Sequence, residues 1–312
     1  MTVHPTRLAL VGLGKIAIDE HVPSIAACPA FDLAATVSRN ASLPDLPSYH
    51  HLDGLLAARD DIDAIALCVP PQVRFDYARE ALSAGCHVLL EKPPGATLAE
   101  VDALRRIADD AGRVLFATWH SRFARAVGTA RTWLERHPVE RVGITWHEDV
   151  RQWHPGQQWI WDPGGFGVFD PGINALSILT DILAEPVRVT AAELDIPANR
   201  ETPIAARLVL RGAGGLRVDA DFDWRRTGAQ NWTITADTPD GRLTLAEGGA
   251  RVDIDGIELP VDGPPASEYD GIYARFAELL SAGKSDVDVA PLTHVADAFL
   301  IGRRITTGPF DD

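Results

Sequence analysis

The feature that most constrains this chain is a rhythm. Up to Ser121, short apolar runs alternate with helix-length segments. That alternation calls for a parallel sheet, because a crossover helix must carry the chain back before the next parallel strand can start. Strands are predicted at Arg7–Val11, Phe31–Val37, Ala64–Val69, His87–Glu91 and Val114–Thr118. Helices are predicted from Ile16 to Ala27, Leu52 to Ala58 and Phe75 to Ala84. A further helix, running to Ala111, opens on the capping box Thr97-Leu98-Ala99-Glu100. Pro70-Pro71 and Pro93-Pro94 stop two of the strands, since proline cannot donate to a ladder. Gly85 ends a helix as a C-terminal cap.

Beyond Ser121 the pattern changes. A helix from Ala124 to Arg136 leads into a strand at Val139–Glu148. The stretch Val150–Gly167, rich in Trp, Gly, Pro and Gln, reads as an ordered loop, and a helix follows over Pro171–Leu183. Strand-like segments then recur at Val187–Leu194, Ala205–Leu210, Leu216–Phe222, Trp232–Ala236, Arg242–Leu245 and Arg251–Ile254. Their short connections predict a mostly antiparallel sheet. Helices near Tyr269–Ala282 and Leu292–Ile305 finish the chain. The expected class is α/β: a doubly wound parallel domain over residues 1–121, then an α/β domain over 122–312 with a large, open, mostly antiparallel sheet.

Composition excludes several functions. The net charge is −15 and no Lys/Arg run occurs, which argues against a nucleic-acid partner. No apolar run approaches the ~20 residues that span a bilayer. The first residues lack the apolar region of a signal peptide, so a cytoplasmic location is expected. Cys28, Cys68 and Cys86 are odd in number and widely spaced, against a disulfide framework. No metal site is expected: His147-Glu148-Asp149 lacks the second histidine of H-E-x-x-H, and His50-His51 has no obvious partner. Gly-x-Ser-x-Gly is absent, which sets hydrolase chemistry aside.

The first strand runs into Gly12-x-Gly14-x-x-Ala17, which opens the first helix. In that context G-x-G-x-x-A is a dinucleotide fingerprint: the glycines permit a tight turn and close backbone approach, and the helix N-terminus offers N–H groups to a pyrophosphate. This makes the first domain a Rossmann domain. NAD-selective domains place a carboxylate at the carboxyl end of the second strand. Asp32 lies at the wrong end, and the strand finishes in Ser38-Arg39. A hydroxyl and a guanidinium suit a 2′-phosphate, so NADP is the expected cofactor, with NAD accepted; a solvated turn with a surface arginine is the bland alternative.

Glu91-Lys92-Pro93 and Trp119-His120-Ser121-Arg122 both fall at carboxyl ends of parallel strands, the edge where ligands bind in open α/β sheets. Lys92 there could serve a reacting hydroxyl, or be a surface lysine paired with Glu91. His120 could hold a substrate hydroxyl or be structural. Asp170 and Asn174 share a helix face, and Asp170 before Pro171 also reads as an N-cap. Trp146, Trp153, Trp159 and Trp161 crowd one stretch, fit either to stack on a sugar or to pack the loop on the core.

With these residues placed, the chain resembles the glucose–fructose oxidoreductase/inositol dehydrogenase/rhizopine-catabolism (Gfo/Idh/MocA) family over nearly its whole length. The resemblance rests on Gly12-Leu13-Gly14-Lys15-Ile16-Ala17, on Glu91-Lys92-Pro93, and on the Gly-rich Gly164–Phe169 stretch leading to Asp170-x-x-x-Asn174. Within the family, Trp119–Arg122 and Trp153–Trp161 look most like the bacterial sugar 1-dehydrogenases that act on L-arabinose and D-galactose. The resemblance implies a homo-oligomer formed through the open sheet and a monosaccharide substrate. It implies that Lys92, Asp170 and Asn174 surround the reacting carbon, and that His120, Glu148, Trp153 and Trp232 join Asp170 and Asn174 in holding the sugar. It assigns Gly12, Gly14, Lys15, Ile16, Ser38, Arg39, Cys68, Pro70, Glu91 and Lys92 to the cofactor. Many relatives carry His where this chain has Asn174, and Asn cannot be a base, so proton removal should fall to Lys92 or Asp170. Oxidation of an aldopyranose at C1 to the lactone is the expected activity. An oxidoreductase acting at another carbon of a cyclitol or keto-sugar, or a silent sugar or nucleotide sensor, are the alternatives.

Overall fold

A computed structural model describes residues 4–261 and 267–311, and the chain divides into two compact units: 4–120 with 267–289, and 121–261 with 290–311. The first begins with strands β1 (Thr6–Val11), β2 (Phe31–Val37), β3 (Ser48–Tyr49), β4 (Ala64–Leu67), β5 (His87–Leu90) and β6 (Leu115–Ala117). They form one sheet of order β3-β2-β1-β4-β5-β6, paired in parallel throughout. The order reverses at β1, the switch point of a doubly wound fold. The intervening helices are α1 (Val22–Ala27), α2 (Leu52–Ala58), α3 (Pro71–Ser83) and α4 (Leu98–Ala111). All of β4 and most of β1 and β5 are buried, as a sheet covered on both faces requires. The expected first helix starts differently: Ala17–His21 is a π-helical turn that passes into α1. The two-residue β3 has no periodic signal to betray it.

The second unit starts with α5 (Val127–Leu134), β7 (Arg141–His147), the short α6 (Val150–Trp153) and α7 (Phe169–Ile182). The stretch expected to be loop thus contains one helical turn, and a 3-10 turn at Gln158–Ile160. Strands β8 (Val187–Pro197), β9 (Ala205–Gly212), β10 (Arg217–Asp223), β11 (Asn231–Thr238), β12 (Gly241–Ala246), β13 (Arg251–Ile254) and β14 (Ile257–Glu258) follow. Along β7 the alternation is clean: Val142, Ile144 and Trp146 are buried while the residues between them face the other side. Gly172 lets α7 lie against β10, since a Cβ there would stand 2.9 Å from Phe222.

The chain then returns to the first unit. Helix α8 (Glu268–Ala282) packs on α1, and Phe276 stacks on Phe31 and Phe116 with centroids 5.6 and 6.1 Å away. Asp286 continues the sheet edge, its N–H donating to Leu115 at 3.0 Å and its carbonyl accepting from Ala117 at 2.9 Å. A single boundary at residue 121 therefore leaves α8 and the residues up to 289 on the wrong side. The last segment also differs from expectation. Helix α9 (Ala290–Ile301) stops at Gly302, and Arg303–Thr307 forms β15, parallel to β8, where a helix to Ile305 was predicted. The β-branched Ile305-Thr306-Thr307 suit a pleated surface, and the free edge of β8 decides the matter. The completed sheet has the order β14-β13-β12-β11-β7-β10-β9-β8-β15, with β7/β10 and β8/β15 as parallel contacts in an otherwise antiparallel sheet.

Candidate active site

In the first unit, the β1–α1 turn is built as the glycines foretell. Gly12 has φ +92°, and a Cβ on it would lie 3.0 Å from the backbone of Cys68 and Val69 at the end of β4. Gly14 differs: a Cβ there meets nothing within 4 Å. The protein needs the first glycine for its own turn. The second leaves open space where backbone can approach a phosphate, so the loop fits a dinucleotide. Lys15 is exposed and pairs with Asp19, and Ile16 is 41% exposed. At the end of β2, the Ser38 N–H donates to the Tyr49 carbonyl at 2.9 Å and Arg39 is exposed. Cys68 and Pro70 follow β4 on the same carboxyl edge.

Glu91-Lys92-Pro93 is fastened from beneath. Arg74 of α3, 3% exposed, donates to the carbonyls of Val69, Glu91 and Pro93. Glu91 is no surface partner of Lys92. Its carboxylate is buried, with Oε1 3.1 Å from His21 Nε2, while Oε2 accepts the Lys92 backbone N–H at 2.9 Å. His21 Nδ1 lies 2.7 Å from the Tyr273 hydroxyl. Burial pushes the Glu91 carboxyl up, but hydrogen bonding and charge from His21, with His120 and Arg74, bring it down to about 2. Burial also pulls the His21 ring down, yet the Cys68 sulfur, the Tyr273 hydroxyl and Glu91 raise it well above its ordinary value. Lys92 therefore stands at the end of β5 on a buried ion pair. His120, after β6, pairs through Nδ1 with Glu268 and stacks on Tyr269 at 5.6 Å.

The second unit carries the other residues singled out in the sequence. Asp170 is not the N-cap expected of it: Val168 holds that position, and Asp170 sits in the first turn of α7, 3% exposed. A carboxylate in a helix's first turn is favoured by the N-terminal dipole. Asn174, half-buried, lies one turn further along. Glu148, just past β7 and 5% exposed, accepts the indole N–H of Trp224 at 3.0 Å and of Trp232 at 2.9 Å. Trp153 is 41% exposed beside Trp232, ring centroids 5.7 Å apart. Of the remaining loop tryptophans, Trp161 is core, 1% exposed. The Gly-rich run before α7 has a steric cause: a Cβ on Gly165 would lie 2.4 Å from the Ile160 carbonyl, and one on Gly167 2.3 Å from that of Pro203. The Gly165 approach brings the 153–161 loop against the run before α7, and His154 Nε2 lies 3.5 Å from Asp170 Oδ2.

Several residues of these constellations were invisible in the sequence. His21, Arg74, Tyr273 and Glu268 work through partners 5 to 252 positions away. Trp224 and His154 carried no role, although His154 stood inside the Trp153–Trp161 stretch.

Comparison with known proteins agrees with the fold. A family model described as an oxidoreductase family with an NAD-binding Rossmann fold matches residues 6–118. The galactose 1-dehydrogenase of Pseudomonas fluorescens is 44% identical over 312 residues, covering 99% of this chain and 100% of that protein. The crystal structure of a D-galactose-1-dehydrogenase from Rhizobium etli superposes with a TM-score of 0.96 at 52% identity, covering 100% of this chain and 99% of that one. A 3-ketoreductase from Actinomadura kijaniata, solved with TDP-benzene and NADP, shares the fold at a TM-score of 0.82 and 18% identity, over 97% of this chain and 99% of that one.

Proposed function

The chain belongs to the Gfo/Idh/MocA family of oxidoreductases, and from that membership we propose that it oxidises D-galactose, and L-arabinose with it, at C1 to the aldonolactone. The observation that carries this reading is Lys92, held at the end of β5 by Glu91 and Arg74, in a chain 44% identical along its length to a galactose 1-dehydrogenase. The two sugars share their ring configuration from C1 to C4 and differ at the C5 substituent, so one pocket serves both.

NADP is the preferred cofactor in this reading and NAD is also accepted. Gly12, Gly14, Lys15 and Ile16 form the pyrophosphate loop, Ser38 and Arg39 hold the 2′-phosphate, and Cys68, Pro70 and Glu91 line the same edge. When bound, the cofactor would supply the hydride acceptor for C1. Lys92 polarises the anomeric hydroxyl, and either Lys92 or Asp170 takes its proton. Asn174 has no base to offer, and its amide orients the hydroxyl. His120, Glu148, Trp153 and Trp232 hold the ring; with both Glu148 oxygens on indole N–H groups, that carboxylate also fixes the plane of Trp232. We further propose that copies of the chain associate through the open face of the second unit's sheet, and that the enzyme works in the cytoplasm. Among the described residues, no helix is long and apolar enough to cross a membrane.

The test is a panel of aldoses and polyols with NADP⁺ or NAD⁺, followed by absorbance of the reduced nicotinamide. D-galactose and L-arabinose should be turned over, faster with NADP⁺; silence on every aldose sinks the proposal. Lys92→Ala should lower kcat by about a thousandfold, roughly 4 kcal/mol. Ser38→Asp should shift preference toward NAD⁺.

A further inference from the structure

Asp170 has an imidazole beside it that its own helix does not provide. One turn along α7 stands Asn174, which can neither give nor take a proton in the working pH range. The loop before the helix delivers His154 instead, with Nε2 3.5 Å from Asp170 Oδ2 and side-chain exposures of 19% and 4%. The ring also leans on Trp224, centroids 5.1 Å apart.

The protonation of that ring follows from its neighbours. The Trp159 indole N–H, which can only donate, gives its hydrogen to Gln157 Oε1 at 3.2 Å. This contact identifies the Gln157 atom as the amide oxygen, since the amide nitrogen cannot accept. The same oxygen lies 3.4 Å from His154 Nδ1, so Nδ1 is the nitrogen that carries hydrogen. A proton on Nε2 would then stand between the ring and the Asp170 carboxylate, the charge-assisted contact that a nearly buried setting strengthens.

We propose that His154 is a positioning residue for Asp170: with its tautomer set by Gln157 and Trp159, it shares one proton with Asp170 and relays the proton released in sugar oxidation. The inference rests on Asp170 acting on the anomeric hydroxyl. That hydroxyl's proton enters at Asp170 while the hydride leaves C1 for the nicotinamide and the C1–O bond becomes double. One proton departs from the partly exposed His154 ring, and the pair ends with the single proton it began with. The loop thus supplies from another element the imidazole that position 174 lacks.

The test uses the full-length protein with D-galactose and NADP⁺ at saturation. His154→Asn should lower kcat about a hundredfold, within the range of a lost proton-transfer group, with the NADP⁺ dissociation constant within about twofold of wild type. Added imidazole should return part of the lost rate to His154→Ala, and Gln157→Leu should lose about tenfold. A His154→Asn enzyme with wild-type kcat, or a His154→Ala loss that imidazole does not touch, overturns the relay. Nitrogen-15 NMR of the histidine rings, assigned with His154→Asn, reads the pair without turnover. Nδ1 should carry hydrogen and the Nε2 signal should move in Asp170→Asn; a bare Nδ1 overturns the inference. Absence of aldose turnover by the wild-type protein sinks the functional reading, and the NMR result then judges the shared proton by itself.

Discussion

Gly12 and Gly14 stand two residues apart and answer to different demands. Gly12 needs its positive φ and its closeness to β4, whereas Gly14 has empty space where a side chain would be. Gly12→Ala should therefore cost about 1–3 kcal/mol of stability, seen as a lower Tm. Gly14→Ala should keep the wild-type Tm and weaken NADP⁺ binding about tenfold or more, about 1.4 kcal/mol. Equal melting losses for the two variants would refute this division. The His21–Glu91 pair makes a second residue-scale claim. Glu91 is held at about 2, below its ordinary 4.5, so its stabilisation is present above 4.5 and fades as pH falls toward 2. His21 is held above its ordinary 6.5, so its stabilisation is complete below 6.5 and is lost as pH rises through the raised value. Between pH 4.5 and 6.5 both contributions stand in full. Glu91→Gln should cost roughly 3 kcal/mol at pH 6 and flatten the acid limb of the stability curve. Urea unfolding at pH 6 and pH 3 measures both effects; a variant whose stability still falls as steeply below pH 4 would assign the acid limb elsewhere.

At the scale of elements, the legible parts are those in which one chain segment carries its own signal. Strands β1, β4 and β5 announce themselves by apolar runs closed by Gly or Pro, β2 and β6 by their apolar runs alone, and α4 by its Thr97/Glu100 capping box, which forms as expected. Lys92, Asp170 and Asn174 could be singled out as candidates because each sits in a short motif at a strand end or a helix start. What a segment acquires from distant partners was not legible. Residues Arg303–Ile305 read as the end of a helix until the edge of β8 claims Arg303–Thr307, and nothing local in α8 says that Phe276 belongs between Phe31 and Phe116. Arg74 is the sharpest case: an arginine on α3 with no motif around it ties the ends of β4 and β5 together through three carbonyls. Arg74→Met keeps the bulk of the side chain and releases all three. It should lower stability by about 3 kcal/mol, the scale of breaking a buried charged hydrogen-bond network, and reduce kcat through Lys92. A variant that melts lower yet retains full kcat would show that Arg74 secures the fold without placing Lys92.

At the scale of the whole molecule, a net charge of −15 must be reconciled with the self-association proposed above. The open face of the second unit's sheet offers a means. Several of its ions are already compensated within the face: Arg141 and Arg217 pair with Asp219 at 2.9 and 2.6 Å and Arg207 with Glu193 at 3.1 Å, while His147 Nε2 lies 3.0 Å from Asp221 Oδ2. Between these pairs runs a strip of small, uncharged residues, Gly143 and Thr145 on β7 and Thr233 and Thr235 on β11. A face whose ions are largely paired and that centres on small side chains can lie against a copy of itself with little desolvated unpaired charge, the self-complementarity that a two-fold interface requires. Thr235 is opposite Gly143 in the ladder, so a longer side chain at 235 has room to rise from the sheet without disturbing it. Thr235→Arg should therefore keep the Tm of the protomer and, by setting a cation against its two-fold mate, convert the assembly to monomer. Sedimentation velocity across a dilution series reads the outcome. If Thr235→Arg sediments as wild type does, the copies meet on another surface, and the paired ions of this face serve only the solubility of an exposed sheet.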